Sequence, residues 1–278
     1  MNIGIRLHDT APGTLKERLA FAREQGSSCA HVALSKVLED FSMGEAPEKL
    51  TAEYAARVRQ DFDDSGLECA VLGCYLNLAD PDAERRARTQ EIYKAHLRFS
   101  AMIGARVVGT ETYANPASGF SDPGGSEEAF RLFMDSLRPV VRCAEETGAV
   151  LAVEPVWYHI ISTPERAVRM LEELPSDNLQ IILDAVNLIS PDQAYRAENI
   201  VCNAVSLLGD RVRILHMKDF VITPEGKLDA CACGLGSMHY EQLLSFAAGK
   251  DLPMTLENTV PENAEEARLH LERVAERM

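Results

Sequence analysis

The feature of the sequence that most constrains its fold is an alternation, repeated eight times, of a short apolar run with a longer stretch of helical period. The runs are rich in Ile, Leu and Val and have the length of buried strands. Because parallel strands need a crossover connection, repeated strand–helix units predict a parallel sheet. The predicted strands span 2–7, 28–34, 68–76, 105–110, 149–154, 180–184, 212–217 and 253–258.

The stretches between the runs carry helix start and stop signals. In the segment 163–174, Thr163 is a candidate N-cap and Pro164 suits the first helical position. Glycine follows several of these stretches, as expected where a chain leaves a helix in the left-handed conformation. The predicted helices span 14–25, 48–65, 83–103, 126–147, 163–173, 191–209, 239–248 and 262–276.

Eight strand–helix units in 278 residues predict a single (β/α)8 TIM barrel that occupies residues 1–278 as one domain. An open dinucleotide-binding sheet is disfavoured because no G-x-G-x-x-G follows the first strand. Two connections, 111–125 and 218–238, are long for a barrel and follow strands. We therefore expect them on the catalytic face, as binding loops or lids.

The charge balance argues against a nucleic-acid partner. The chain has 43 acidic against 28 basic residues and a formal charge of -15, which repels a phosphate backbone. Its N-terminal residues lack a secretory signal pattern and no apolar run approaches a membrane span, so we expect a cytoplasmic protein with no membrane partner. Seven scattered cysteines suit a reducing compartment. The C-x-C pair Cys231 and Cys233 is a weak metal motif, and two small loop residues are the simpler interpretation.

Four of the predicted strands end in a side chain that can bind a metal. The runs "LAVEP", "IILDAVN", "RILHMKDF" and "PMTLEN" carry Glu154, Asp184, His216 and Glu257. Carboxyl ends of barrel strands converge on one face, where three carboxylates would repel one another without a cation. This predicts one divalent metal ion, with ligands that suit Mn²⁺, Mg²⁺ or Co²⁺ and do not exclude Zn²⁺. Taken singly, each residue could instead cap a helix or be a hydrogen-bonded core group.

With these motifs in this order, the sequence resembles the xylose isomerase-like barrels. That group includes sugar isomerases, ketose 3-epimerases, inosose dehydratases and endonuclease IV type apurinic endonucleases. The resemblance covers essentially the whole chain and implies that Glu154, Asp184, His216 and Glu257 hold the metal. It also implies proton transfer beside a sugar carbonyl through a metal-stabilised enediolate, with Glu154 and Glu257 as the catalytic acid–base pair.

Departures from the family pattern narrow the choice of reaction. Many members have a histidine three residues after the strand-6 aspartate, where this chain has Asn187. The additional histidines of the three-zinc endonucleases are missing from "GCYLN", "GTET" and "LDACACG", which disfavours a nuclease. The segment "VWYHIIST" after strand 5 lacks the acidic residue of the ketose 3-epimerases, so the resemblance does not specify the exact reaction.

Further polar residues near the strand ends are candidates for binding the substrate. Lys218 could hold a substrate oxygen or simply pair with Asp219, and Trp157 could form an apolar wall or be ordinary packing. Arg6 would favour an anionic substrate if it reaches the cavity, and would otherwise form a salt bridge. The predicted substrate-binding residues are His159, Asn187, Lys218, Trp157, Arg6 and Glu111.

The leading hypothesis is a metal-dependent sugar isomerase or epimerase whose partner is a small sugar or sugar derivative. The alternatives are a dehydratase that expels a hydroxyl as water, an apurinic endonuclease and a non-catalytic sugar-binding barrel. A homo-oligomer is compatible with the fold, since outer helices of such barrels commonly pair.

Overall fold

In a computed structural model, which describes residues 1–113, 122 and 124–278, eight parallel strands close into a barrel surrounded by helices. This confirms the predicted (β/α)8 architecture. All eight coincide with predicted strands, and each neighbour in sequence is also a neighbour in the barrel. The barrel strands are β1 (Ile3–Arg6), β2 (Cys29–Val32), β3 (Glu68–Gly73), β4 (Val107–Glu111), β5 (Leu151–Glu154), β6 (Leu179–Asp184), β7 (Val212–Met217) and β10 (Met254–Leu256).

The helices follow the predicted ranges with two subdivisions and one addition, the short helix Leu34–Val37, which the sequence pattern did not predict. The predicted helix 48–65 is interrupted because Thr51 caps a new helix by accepting the backbone N–H of Tyr54. The predicted helix 191–209 begins as a 3-10 segment over Pro191–Arg196. The α-helices are α1 (Leu15–Glu24), α2 (Leu34–Val37), α3 (Ala46–Lys49), α4 (Ala52–Ser65), α5 (Ala83–Ile103), α6 (Glu127–Thr147), α7 (Pro164–Glu173), α8 (Ala197–Leu208), α9 (Glu241–Ala247) and α10 (Ala264–Ala275).

The long connection after β7 contains an antiparallel hairpin that the sequence pattern did not predict. Its strands are β8 (Asp219–Ile222) and β9 (Leu228–Cys231). Cys231 is the last residue of β9 and Cys233 lies two residues beyond it, and both are free thiols. In the other long connection, residues 114–121 and 123 lie outside the described part of the chain.

The two ends of the barrel differ in chemistry. A small apolar cluster includes Ala152, Ile182 and Ile214. Each of these residues lies two positions before a polar residue at a strand end, so the two side chains are on the same face of the strand. At the opposite end, Arg106 pairs with Glu68 and lies 2.9 Å from Asp251. An apolar layer therefore separates this ionic network from the carboxyl ends of the strands. No helix in the described residues is long and apolar enough to cross a membrane.

Candidate metal centre and active site

The four strand-end residues lie together, and all four are buried. Glu154 and Asp184 end β5 and β6, His216 is the fifth residue of β7, and Glu257 directly follows β10. Pairing of β6 with β7 sets Asp184 opposite His216. The exposed fractions of the four residues are 1%, 0%, 2% and 5%, in that order. Three carboxyl groups at this depth need compensating positive charge.

Distances within the cluster are those of groups that can share an ion. His216 Nδ1 lies 3.0 Å from Glu154 Oε2 and 3.3 Å from Glu257 Oε1. One ligand atom from each of Glu154, Asp184 and His216 can be chosen so that all lie within 4.8 Å of one another. A second such group shares His216 and Glu257 and adds His31.

Unpaired polar atoms show that these residues fit a metal ion. Within the described structure neither ring nitrogen of His216 has a hydrogen-bond partner. The 3.0 Å approach of His216 to Glu154 therefore brings two ligand atoms together without hydrogen-bond geometry. Leaving buried polar atoms unpaired is costly, and a divalent cation coordinated by them removes that cost.

Mutual interactions of the buried groups shift their pKa values in opposite directions. Burial raises the pKa of Asp184 to about 6, although the nearby Lys218 ammonium opposes the shift. Burial alone would lower the pKa of His216, but Glu257 and Glu154 outweigh it and raise that pKa to about 9. Burial likewise opposes ionisation of Glu257, yet His216 and Lys218 hold its pKa well below the ordinary range. The cluster thus favours cations wherever one can approach.

Lys218 is part of this cluster and does not pair with Asp219. Its Nζ lies 2.7 Å from Asp184 Oδ2 and 3.4 Å from Glu257 Oε2, and the side chain is buried. The alternative pairing considered from the sequence is wrong, because the Asp219 carboxylate is occupied by three backbone N–H groups. These donors belong to Phe220, Gly234 and Met238.

Asn187, in the position where many family members have histidine, orients the carboxylates. Its backbone N–H donates to Asp184 Oδ1 at 3.1 Å, and its Nδ2 donates to Glu154 Oε1 at 2.5 Å. The second oxygen of Glu154 is the one that faces His216. The amide therefore fixes which oxygen of Glu154 is presented to the centre.

A cavity of about 200 Å³ opens beside the cluster. Arg6 lines it and forms the salt bridge considered from the sequence, since its guanidinium lies 3.2 Å from Glu257 Oε2 and makes a two-point contact with Asp9. The polar side chains around the cavity include Arg6, His8, His31, Tyr75, Glu111 and Glu257. A small polar molecule bound here would touch a metal-ligand candidate, Glu257, directly.

The other predicted substrate-binding residues lie at different distances from this cavity. Glu111 lines it, and burial together with Glu154 raises the pKa of Glu111 to about 8. His159 is buried with its Nδ1 3.6 Å from Glu111 Oε2, and burial lowers its pKa to about 4. Trp157 is 39% exposed, packs against Tyr158 and does not line the described cavity.

Several residues that line the cavity were not predicted from the sequence, among them His31 and Tyr75. His31, on β2, stacks on His216 with ring centroids 5.3 Å apart, and Tyr75 lies two residues beyond β3. The strand-end signal used for the later strands also points to Tyr75, near the end of the predicted strand 68–76 in "GCYLN". His31 lies in the middle of the predicted strand 28–34, so that rule does not find it.

The fold and the cluster define a class, a (β/α)8 barrel with carboxylate and histidine groups gathered at the carboxyl ends of its strands. A family model described as xylose isomerase-like TIM barrel matches residues 19–275. The chain belongs to this family. A comparison with curated proteins found no match.

Solved structures share the whole fold. The 3-keto-D-glucoside 4-epimerase YcjR from E. coli is 18% identical with a TM-score of 0.73, covering 98% of this chain and 99% of that one. D-psicose 3-epimerase from Clostridium cellulolyticum H10, solved with D-tagatose, is 14% identical with a TM-score of 0.75 and 99% coverage of both chains. The IOLI protein with a bound zinc atom is 18% identical with a TM-score of 0.73, covering 100% and 99%. At these identities the likeness establishes the fold.

Proposed function

We propose that this protein is a divalent-metal-dependent isomerase or epimerase of a sugar or sugar derivative. The observation that carries the proposal is the buried convergence of Glu154, Asp184, His216 and Glu257, with both nitrogens of His216 unpaired within the described residues. Family membership and the two sugar epimerases among the structural neighbours support it. The neighbour with zinc supports the use of a metal.

The four residues would hold one ion, Mn²⁺, Co²⁺, Mg²⁺ or Zn²⁺. When bound, such an ion supplies positive charge that stabilises negative charge on substrate oxygens as the neighbouring carbon loses its proton. Lys218 and Arg6 add further positive charge next to Glu257. These fixed charges disfavour protonation of Glu257 before the substrate arrives.

Glu154 and Glu257 are the proposed acid–base pair. They approach His216 Nδ1 from β5 and from the end of β10, strands separated in the barrel by β6 and β7. Carboxylates placed in this way can reach opposite faces of one substrate, so that one removes a proton and the other returns it. Asn187 holds Glu154 in a single orientation for this exchange.

A specific observation favours dehydration as a second candidate. Burial together with Glu154 raises the pKa of Glu111 to about 8, which favours its neutral form where it lines the cavity. A neutral carboxyl group can protonate a departing hydroxyl, which leaves as water after a base has removed the proton from the adjacent carbon. The same cavity would then serve a lyase.

The first experiment is metal stoichiometry. Protein reloaded with each of the four ions is expected to bind about one ion per chain, and His216→Ala is expected to lose it because the variant removes a central ligand. His239→Gln is the matched control, since His239 is exposed. Absence of bound metal in the wild type would contradict the proposal, and about three ions per chain would favour the nuclease.

The second experiment follows solvent deuterium into sugars. Carbon-bound deuterium in recovered sugar supports isomerase or epimerase chemistry, whereas a keto product that has lost water supports the lyase. Glu154→Gln and Glu257→Gln should abolish exchange while circular dichroism stays native, because each removes a proton-transfer group. Undiminished exchange in both variants would rule out the two-carboxylate mechanism. Tight sugar binding without turnover would indicate a binding protein, and nicking of abasic duplex would indicate a nuclease.

A further inference from the structure

Tyr75 occupies a space that Gly73 leaves at the mouth of the barrel. Gly73 on β3 is paired in register with Gly109 on β4. A Cβ atom on Gly73 would lie 2.7 Å from the Tyr75 ring and 3.0 Å from His31 Nε2. On Gly109 a Cβ atom would instead meet Val71 at 2.7 Å and Ile182 at 2.9 Å, with Tyr75 Oη at an ordinary contact distance of 3.6 Å. The absence of a side chain on Gly73 thus makes room for the tyrosine, and Tyr75 lines the cavity.

The hydroxyl of Tyr75 is held by a buried histidine. Tyr75 Oη and His31 Nε2 are 3.0 Å apart, and His31 is 1% exposed. The other ring nitrogen, His31 Nδ1, faces Glu257 Oε1 at 3.8 Å and has no hydrogen-bond partner in the described structure. Hydrogen bonding of a histidine is directional, because the neutral ring carries its proton on one nitrogen and accepts at the other.

The negative charge of Glu257 favours one direction of the hydrogen bond between Tyr75 and His31, because it favours one position for the proton on the His31 ring. A proton on His31 Nδ1 is attracted to the carboxylate, whereas a lone pair there is repelled by it. With the proton on Nδ1, Nε2 accepts, and Tyr75 must donate its only proton to His31. The oxygen of Tyr75, a residue that lines the cavity, then has only lone pairs left for a further hydrogen bond.

We propose that Tyr75, oriented by His31, is a specificity-determining residue that accepts a hydrogen bond from a substrate hydroxyl group. The inference rests on the proposed sugar substrate and deepens it. A hydroxyl can donate its proton to the Tyr75 oxygen. A carbonyl, ether or phosphate oxygen at the same point has no proton to donate, so its lone pairs and those of Tyr75 would repel each other. The site therefore selects substrates that carry a hydroxyl group at this point.

A competing arrangement makes His31 a metal ligand together with His216 and Glu257. Ligation through Nδ1 needs a lone pair on that nitrogen, which moves the proton to Nε2 and reverses the bond to Tyr75. Tyr75 would then donate to the substrate instead. The two arrangements differ in the position of one proton, so the tautomer of His31 distinguishes them.

The tautomer can be measured without any turnover. Nitrogen-15 NMR of the imidazoles is recorded on the metal-free protein and on the Mg²⁺-saturated protein, and the signals of His31 are assigned by their loss in His31→Gln. His239→Gln serves as the matched control and should remove a different set. A protonated Nδ1 is the expected result in both samples. A protonated Nε2 in either sample would overturn the proposal.

Binding of D-tagatose and its monodeoxy derivatives to the Mg²⁺-loaded protein tests the substrate hydroxyl. Tyr75→Phe keeps the ring and is expected to weaken D-tagatose binding about 3- to 10-fold, the loss of one neutral hydrogen bond. For the one derivative that lacks the recognised hydroxyl, wild type and variant should bind equally. Tyr195→Phe, at a tyrosine that is 83% exposed, is the control.

An equal effect of Tyr75→Phe on every derivative, or no effect on D-tagatose, would overturn the role of Tyr75. If the wild type binds metal but no sugar, the sugar substrate of the proposed function is contradicted. The proposed role of Tyr75 in selecting that substrate is then contradicted as well. The NMR result separates these cases, because it reports the orientation of Tyr75 whether or not a sugar binds.

Discussion

Two buried histidines show how surroundings set the chemistry of a residue. His96, on α5, makes one contact through Nδ1 with the carbonyl oxygen of Ile92, and burial lowers its pKa to about 4. His216 is equally buried, but its carboxylate neighbours raise its pKa to about 9. Neither shift is visible in the sequence, because both depend on groups brought near by folding.

The depressed pKa of His96 predicts a loss of stability on acidification. Between about pH 6.5 and pH 4 the unfolded chain binds a proton at this residue that the folded chain does not, so the free energy of unfolding falls as the pH is lowered. His96→Leu removes this contribution. Urea unfolding should show that the variant loses about 2 kcal/mol less than the wild type between pH 7 and pH 5.

The exposed His239 provides the control for that measurement. His239→Gln should leave the pH dependence of the wild type intact. If His96→Leu lost as much stability as the wild type over the same interval, the buried neutral state of His96 would be refuted.

At the residue scale, sequence reasoning succeeded where a rule of the fold applied. Glu154 and Asp184 were singled out because carboxyl ends of parallel strands converge. The contact of Asn187 with Glu154 spans 33 residues and that of Tyr75 with His31 spans 44, and no local pattern encodes either. Such partners depend on side-chain orientation within the closed barrel.

At the scale of elements, the barrel strands were predictable and the hairpin was not. The strands are apolar runs whose residues are almost all buried, and that is the strongest strand signal. The hairpin of β8 and β9 has Val221 and Ile222 exposed at 38% and 44%, so it lacks the alternation of a half-buried strand. Its stability depends instead on a tertiary interaction centred on Asp219.

Asp219 anchors the hairpin to the loop that follows it. One carboxylate oxygen accepts the backbone N–H groups of Phe220 and Met238 at 2.9 and 2.8 Å, and the other accepts that of Gly234 at 3.0 Å. Asp219→Ala leaves these donors without their acceptor, at about 1–3 kcal/mol for each one that stays buried. We expect a loss of at least about 3 kcal/mol and faster hydrogen exchange in residues 232–238.

A graded series tests this assignment. Asp219→Asn keeps one oxygen acceptor and should lose less stability than Asp219→Ala. Asp229→Ala, on the exposed part of β9, should have little effect. Equal unfolding free energies for Asp219→Ala and Asp229→Ala would show that the hydrogen bonds of Asp219 do not anchor the loop.

At the scale of the whole molecule, the candidate metal centre connects the second half of the barrel. Its four residues come from β5, β6, β7 and the end of β10, so they span residues 154 to 257. In the unfolded chain these groups are far apart and bind an ion weakly. An ion that binds only the folded barrel must therefore stabilise all of it by mass action.

This linkage predicts the size of the effect. At a free metal concentration 100 times Kd the gain is about 2.7 kcal/mol, which for a chain of this size raises Tm by about 5–10 °C. The rise should disappear with chelator and in His216→Ala, and persist in His239→Gln. Calorimetry with Mn²⁺, Co²⁺, Mg²⁺ and Zn²⁺ measures it directly. If none of the four ions shifted Tm of the wild type, Lys218 and His216 would themselves be the cations that neutralise this cluster, and the metal would have no place in it.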